Sequence, residues 1–437
     1  MIDTRPHAED LDTLARARRR LSGPRGPLVG LSEALGATDD VSIFVGHGEG
    51  WAPREHPQCP DGRIEGTGVG LTRSAALAST VGELIERYAA WRCCRADRVW
   101  ASYSEVAARA VAPQRFMLYT KSQYAQPGFH FSPPHPMQPL SWAEAWSVVH
   151  QRASLVPSEF VYMERCRGRG CLAHSVTTGL ACAASAEAAA AAALCEAIER
   201  DGIMLAWLAG LELPRLRPPS GDPIVDELLG RIARQCLSAT VLDATTDIAL
   251  PVRIALLEPA EGSAAGLAVG MAAHTDPVQA YRKALIEGAH THNWLRRLQR
   301  QRTPLHDPDS TLPRAFEDHV YLWGHHSVAR RLDFWRCGPW QDETNGNGSD
   351  SDPAARLGLI VDRLVRAGFE PLLVDLTPPD LSEVGFHVLR AVVPGLIPLT
   401  VGPPCLDSPR LAELSARLGF VARYAGPDWN PFPHPFP

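Results

Sequence analysis

One five-residue pattern occurs twice in this chain, and it restricts the possible architectures more than any other feature. Glu83-Leu84-Ile85-Glu86-Arg87 and Glu196-Ala197-Ile198-Glu199-Arg200 both read Glu-x-Ile-Glu-Arg. On a helix, residues three and four apart share a face, so each copy sets two carboxylates side by side with an arginine in reach. Like charges that close repel, and the arrangement becomes favourable where a cation or a phosphate chain balances it. The flanks match as well. Gly70-Leu71 stands thirteen residues before Glu83, Gly179-Leu180 stands seventeen before Glu196, and Trp91 and Trp207 follow. The two spacings differ by four residues, about one helical turn, which keeps the carboxylates on the same face. A weaker third copy runs Gly266-Leu267, a helix start at Asp276-Pro277, then Glu287 and Trp294. The pattern predicts a structural unit used two or three times, presenting acidic helices to one site. A single such pentapeptide is commonplace on solvated helices; repetition with shared flanks is what argues for a common function.

With 437 residues the chain can bury a large core, and size alone suggests about two to three domains. A formal charge of −6 argues against a nucleic-acid-coating protein, and the arginines between Arg16 and Arg20 read as a helix surface. No apolar run reaches the roughly 18 residues needed to span a membrane, and the N-terminus lacks a secretory signal. The expectation is a cytoplasmic protein without membrane or nucleic-acid partners. The ten cysteines, including the neighbours Cys93-Cys94, contain no CxxC pair; Cys182 and Cys195 read as small core residues.

Taken in order, residues 9–21 read as an amphipathic helix, followed by a Gly/Pro loop, and 41–45 as a strand. The first unit spans 62–100. Residues 101–157 carry no clear signature beyond a Pro-rich loop at 127–139. The second unit opens with the polar turn His174 to Gly179 and continues as an Ala-rich helix over 186–207, thin enough to sit at the centre of a domain. A proline-rich link at 214–223 precedes a helix at 224–236 and strands at 239–242 and 252–257. The third unit covers 262–298. Residues 341–353 read as a mobile surface loop, 357–367 as a helix, and 370–376 and 385–393 as strands. The fold class expected is α+β, mixed sheets with packed helices. Residues 1–60 form an N-terminal extension with a strand, and 61–437 form one pseudo-repeated domain. Its site comes from 62–100, 174–207 and 262–298, and its C-terminal α/β part, 355–437, closes on 431–437. In that last segment every second residue is proline, which favours an extended conformation with few backbone donors. Composition suits a disordered tail or a ligand for another domain; a stiff tail could instead reach into a site.

Together these residues resemble the YcaO family, in particular its azoline-forming cyclodehydratases of ribosomal peptide natural-product pathways. The resemblance rests on Ser79-x-x-x-Glu83-x-x-Glu86-Arg87, on Ser175 to Gly179 with Glu196-x-x-Glu199-Arg200-Asp201, on the helix bearing Glu287, and on the ending Pro433-His434-Pro435-Phe436-Pro437. It implies a YcaO-type ATP-binding fold with Mg²⁺ and ATP as cofactors. A Cys, Ser or Thr side chain of a precursor peptide attacks the preceding amide carbonyl, the oxyanion takes the γ-phosphoryl of ATP, and phosphate leaves a thiazoline or oxazoline. Carried over by position, Glu83, Glu86, Glu196, Glu199 and Glu287 hold Mg²⁺, with Glu83 and Glu199 also counted as catalytic. Arg87 and Arg200 contact phosphate or lock the glutamates. Ser79, Ser175, Thr178, Lys283, His290 and Arg390 touch nucleotide, and Pro437 organises the peptide side through its carboxylate. Gly66-Thr67-Gly68 stands where relatives often carry Gly-Lys-Gly, and Ala183-Ala184-Ser185 replaces a common Gly-Asn-Thr. The implied partners are a precursor peptide with a leader and a separate leader-binding protein of the ubiquitin-activating-enzyme-like kind. A flavin dehydrogenase acting on the rings and a homodimer are left open. Two other readings are a YcaO enzyme making thioamides or amidines, and a non-catalytic scaffold subunit of a peptide-modifying complex.

Overall fold

In the computed structural model the described residues are 8–23, 26–52, 62–91, 98–163, 170–260, 266–303, 305, 308, 313–344, 346 and 352–437. Their strands form three sheets. One runs Gly30–Glu33, Phe44–Trp51, Arg63–Gly70. The second runs Ala268–Ala273, Val252–Pro259, Leu237–Asp243, Arg215–Arg217, Trp340–Asp342. The third runs Val99–Ser102, Pro139–Ser147, Leu372–Asp375, His387–Val392, Leu180–Ala183, with Arg152–Pro157 paired to Pro139–Ser147. Among the described strands, Trp340–Asp342 and Arg215–Arg217 pair in parallel and the other pairs are antiparallel. The architecture is α+β, as expected from the sequence.

Each sheet ends in a strand that leads directly into a long helix. Arg63–Gly70 leads into Arg73–Trp91, Leu180–Ala183 into Ala186–Ala209, and Ala268–Ala273 into Pro277–Gln301. The repeat legible in the sequence is therefore an edge strand plus a helix, used three times. The Gly-Leu flank is not equivalent in the three: Gly70 ends its strand, whereas Gly179 and Gly266 precede theirs. Local chemistry sets the helix starts. Ser185 accepts from Ala188 N at 3.2 Å, and Asp276 accepts from Gln279 N at 3.0 Å with Pro277 in the first turn. Ala186–Ala209 ends at Gly210 in the left-handed region (φ 59°).

Helix and strand touch backbone to backbone within a unit. A Cβ on Gly68 would lie 2.2 Å from Thr80 N and 2.3 Å from Ala76 O; one on Gly270 would lie 2.1 Å from Gly288 N and 2.3 Å from Ala284 O. Glycine is required at both places because no side chain fits between the two backbones. The middle helix buries most of its length, Ala189, Ala190, Ala191 and Ala193 among its small buried residues, and leaves Ala192 exposed on the cleft side. Asp201, the last residue of the second motif copy, points away from the acids. It is fully buried, accepts from Ile397 N at 3.0 Å and from Arg410 at 2.6 Å, and fastens the Pro409–Arg417 helix to the middle helix.

Several expectations are corrected. The strand expected at 41–45 is Phe44–Trp51; Gly46, Gly48 and Gly50, given no assignment from the sequence, belong to an eight-residue ladder with Arg63–Gly70, with the Arg73–Trp91 helix lying over Gly46 and Gly48. The division at 60/61 falls between these paired strands, and Leu14, Ala17 and Leu21 of the Ala8–Arg20 helix share a core with Leu77, Val81 and Leu84. Residues 101–157, read as featureless, hold Pro139–Ser147 and Arg152–Pro157; consecutive buried Trp142 and Ala143 hide the period of two. The 341–353 loop starts as part of a strand, and Glu343 is buried against Arg253 at 2.7 and 2.8 Å; residues 345 and 347–351 lie outside the described set. Cys93 and Cys94 also lie outside it, and Cys171 is disulfide-bonded, which the cysteine spacing does not foretell. No helix among the described residues is long and apolar enough to cross a membrane.

The close helix–strand contact sets a measurable contrast. Gly270→Ala should destabilise the chain by about 1–3 kcal/mol through overpacking. Gly230→Ala, on the Pro223–Arg234 helix with Arg234 Nη1 as its nearest neighbour at 3.7 Å, should stabilise by about 0.4–1 kcal/mol. Urea unfolding of the two variants checks both signs.

Candidate functional site

An edge strand presents alternate N–H groups that no neighbouring strand accepts. Here the helix glutamates accept them. Glu83 takes Thr67 N at 2.6 Å, Glu287 takes Met271 N at 2.8 Å, and Glu196 takes Gly179 N, each within its own unit. The second glutamate of each pair reaches the next unit. Glu86 takes Cys182 N and Glu199 takes Ala273 N, both at 2.8 Å. The spacing of three residues thus has a direct geometric meaning: one helix bridges two edge strands, and successive bridges string the three units together. The third helix has a single glutamate in this row, which closes it.

The arrangement gathers acids. Burial pushes the Glu86 carboxyl well above the usual range, and Glu196 and Glu83 push it further. Burial lifts Glu196 to about 7, with Glu199 adding to the shift and Arg200 opposing it. Burial also raises Glu199 and takes Glu287 to about 8, the latter aided by repulsion from Glu199. Arg200 lies among them, 3.6 Å from Glu196 and 3.5 Å from Glu199. Burial works against its charge, but Glu199, Glu196 and Glu287 raise its pKa above the ordinary arginine value. The acids of separate helices therefore meet around one arginine.

Glu196, Glu199 and Glu287 line a cleft of about 970 Å³ together with Lys283 and His290. His290 is held to about 4 by burial and by the nearby Arg297 and His47, so it is neutral. Glu83 and Glu86 are not among the lining residues; Glu83 uses its other oxygen on Arg87, at 2.6 and 3.1 Å, so Arg87 locks a glutamate. Ser79 is exposed on the Arg73–Trp91 helix and outside the cleft lining. Ser175 donates to Tyr162 O at 2.5 Å. Thr178 and Arg390 line a separate small cavity of about 90 Å³. Arg390 is buried, not a surface strand residue. It donates to Val176 O at 2.5 Å and Phe160 O at 3.2 Å, its Nη1 lacks a partner, and burial lowers it to about 10 against the pull of Glu196. The segment ending at Pro437 is packed: Phe436 is fully buried, and His434 is near enough to Arg200 to feel its charge.

Sequence reasoning missed His274, Gln279 and Arg356, which also line the cleft. His274 follows the third edge strand and Gln279 opens the third helix, so extending the repeat would have found them; nothing local marks Arg356.

The donor set suits Mg²⁺ with a nucleoside triphosphate. All the acids offer hard oxygen, and Glu287 and Glu196 each keep an oxygen free of the backbone. Among the described residues no three His, Cys, Asp or Glu are grouped tightly enough to hold an ion unaided. That matches Mg²⁺, which takes one or two carboxylates and completes its shell with phosphate and water. The cleft wall also carries the basic residues Lys283, Arg282 and Arg356, and Arg200 lies 3.5 Å from its Glu199.

Comparison with known proteins agrees. A heterocyclase solved in complex with substrate and cofactor superposes over 100% of this chain and 59% of its own, with TM-score 0.80 and 20% identity. The YcaO protein of Methanopyrus kandleri bound with AMPPCP and Mg²⁺ superposes over 89% of this chain and 91% of its own, with TM-score 0.62 and 19% identity. A protein from the tfuA 3′ region of Rhizobium leguminosarum bv. trifolii is 27% identical over 270 residues, 59% of this chain and 61% of that one. The chain thus spans about three fifths of that protein and of the first heterocyclase. The family model described as YcaO cyclodehydratase, ATP- and Mg²⁺-binding, matches residues 67–397, and the chain belongs to the YcaO family.

Proposed function

We propose that this chain is an ATP- and Mg²⁺-dependent cyclodehydratase that converts Cys, Ser or Thr of a ribosomal precursor peptide to thiazoline or oxazoline. The observation that carries the reading is the convergence of Glu196, Glu199 and Glu287 from two helices on one cleft, with Arg200 between them. Bound Mg²⁺ supplies neutralisation of phosphate charge, the main requirement of phosphoryl transfer besides positioning.

The chain's residues take the following parts. Glu196, Glu199 and Glu287 would hold the metal, and the backbone N–H bonds hold each carboxylate in one orientation before anything binds. Glu83 and Glu86 continue the acidic row, with Arg87 fixing Glu83. Arg200 and Lys283 offer charge to phosphate oxygens. Arg390 supports Glu196 from behind. The peptide's thiol or hydroxyl attacks the preceding amide carbon, the amide oxygen would take the γ-phosphoryl of ATP with release of ADP, and it then leaves as inorganic phosphate while the thiol or hydroxyl proton and the amide proton are shed and C=N forms. The packed segment that ends at Pro437 approaches the same arginine and is read as organising the peptide side. A separate protein that grips a leader peptide is part of the proposal. The packed Pro-x-Pro-x-Pro ending favours azoline formation over thioamide or amidine chemistry.

Two outcomes follow. Glu199→Gln keeps an acceptor for Ala273 N, so the fold should survive, while Mg²⁺-dependent phosphate release should fall by at least about tenfold, the scale of a disturbed metal site. Phosphate release measured across a Mg²⁺ titration checks this, together with the loss of one water mass per ring from a Cys-bearing precursor. The second outcome concerns pH. The folded pKa values of Glu196 and Glu287, about 7 and about 8, lie above the ordinary 4.5, so the folded chain binds more protons than the unfolded one between those limits. Stability must then fall as pH rises through that window. Buried His319 and His434 act oppositely, but only below their ordinary 6.5. From about pH 6.5 to 8 the midpoint of thermal unfolding should therefore drop in the chain with EDTA. The drop should shrink in Glu287→Gln and in the presence of Mg²⁺ with a non-hydrolysable ATP analogue, and a flat profile in EDTA would contradict the assignment.

A further inference from the structure

An extended segment with proline at every second position can offer a receptor little except its carbonyls. Three successive carbonyls in 431–437 are each met by a ring N–H. Trp207 Nε1 donates to Phe432 O at 3.1 Å, Trp323 Nε1 donates to Pro433 O at 3.2 Å, and His319 Nδ1 lies 2.8 Å from His434 O. Indole is a donor only, so Trp207 and Trp323 have no other polar use in a buried place. The rings brace one another. Trp207 and Trp323 meet edge to face at 5.4 Å between centroids, and His319 stacks on His434 at 3.9 Å, nearly parallel at 7°. His434 is satisfied as a neutral ring: Nε2 is 2.9 Å from Thr400 O, and Nδ1 takes Phe436 N at 3.3 Å. His319 Nε2 lies 3.2 Å from Val401 O, farther than the 2.8 Å on the other side, which places its proton on Nδ1. Upstream, Asn430 is tied to the same helix as Trp207, through Leu208 O at 2.9 Å and Trp207 O at 3.1 Å.

The ladder connects distant parts of the chain. Trp207 stands two turns beyond Arg200 on the helix that carries Glu196 and Glu199, while His319 and Trp323 are one turn apart on Phe316–Trp323. We propose that Trp207, Trp323 and His319 are positioning residues that fix the register of the Pro431–Pro437 segment, one ring N–H per carbonyl, and thereby hold its end in a set place relative to Glu196, Glu199 and Arg200. The part of this concerning catalysis rests on the cyclodehydratase reading; the docking does not.

The probe is a synthetic heptapeptide, Pro-Phe-Pro-His-Pro-Phe-Pro, added to a chain that ends at Asn430, with binding followed by tryptophan fluorescence. Saturable binding is expected, weaker by about tenfold in Trp323→Phe and in His319→Ala, the ratio that one ordinary hydrogen bond supplies. His319→Asn, which keeps a donor near Nδ1, should recover most of the loss. Equal binding by all variants overturns the ladder. Should the shortened chain not fold, the full chain carrying 4-fluorophenylalanine at Phe436 gives the same decision by ¹⁹F NMR. One shifted resonance is expected in the parent and a random-coil position in His319→Ala and Trp323→Phe; a resonance unmoved by either substitution refutes the proposal. With nucleotide and precursor, the variants should lose ring formation while nucleotide affinity stays within about twofold, and the loss should vanish in the shortened background, where there is no segment to position. If the parent chain forms no ring at all, the cyclodehydratase reading fails while the fluorescence and NMR results still judge the docking.

Discussion

A buried carboxylate accepting the free N–H of an edge strand is the interaction on which the rest of this molecule depends. It satisfies two costly groups at once, the unpaired strand donor and the desolvated acid, each of which would otherwise weaken the fold. Because the glutamates come in pairs three residues apart, one belongs to its own strand and the other to the next unit's strand. Glu86 on Cys182 and Glu199 on Ala273 therefore staple each unit to the next, and Glu199 does so from the wall of the cleft. The edges of three sheets, exposed by the topology, are covered by helices whose glutamates reach the strand N–H groups.

That dual use explains why the site tolerates so much like charge. Each glutamate has one oxygen committed to backbone, and Arg200 lies between the second and third units. Burial, with the remaining repulsion added at Glu196 and Glu287, displaces these carboxyl groups toward neutral pH. A divalent cation with phosphate bound at these acids would relieve it, and binding and folding would then draw on the same groups. The glycines at 68 and 270 belong to this arrangement: only with backbones in contact can a glutamate reach across from helix to strand. The rigid scaffold then extends along the middle helix to Trp207, where the ring donors hold the last residues of the chain.

The repeat, the three acidic helices and the α+β class were legible in the sequence because each rests on local periodicity and on chemistry carried by neighbouring residues. Helix boundaries at Ser185 and Asp276 were legible for the same reason. Hidden from it were the Gly46-Gly48-Gly50 strand, whose residues disfavour a strand in isolation and are tolerated because a helix lies on them, and the Glu343–Arg253 pair, which joins residues 90 apart. Arg356 on the cleft wall belongs to the same class. No local signal announces a contact made by folding back.

What the sequence determined alone is that five glutamates would sit in like positions on like helices, since period and motif need no partner to be read. Which oxygen of each would be tied, that Asp201 would turn away to Arg410, that Glu83 would be spent on Thr67 and Arg87, and that the proline-rich end would be gripped and not free, were decided by tertiary structure. The physical reason is that an edge-strand N–H and a ring N–H become exacting partners only once water has been removed from around them, and removal of water is a property of the assembled fold.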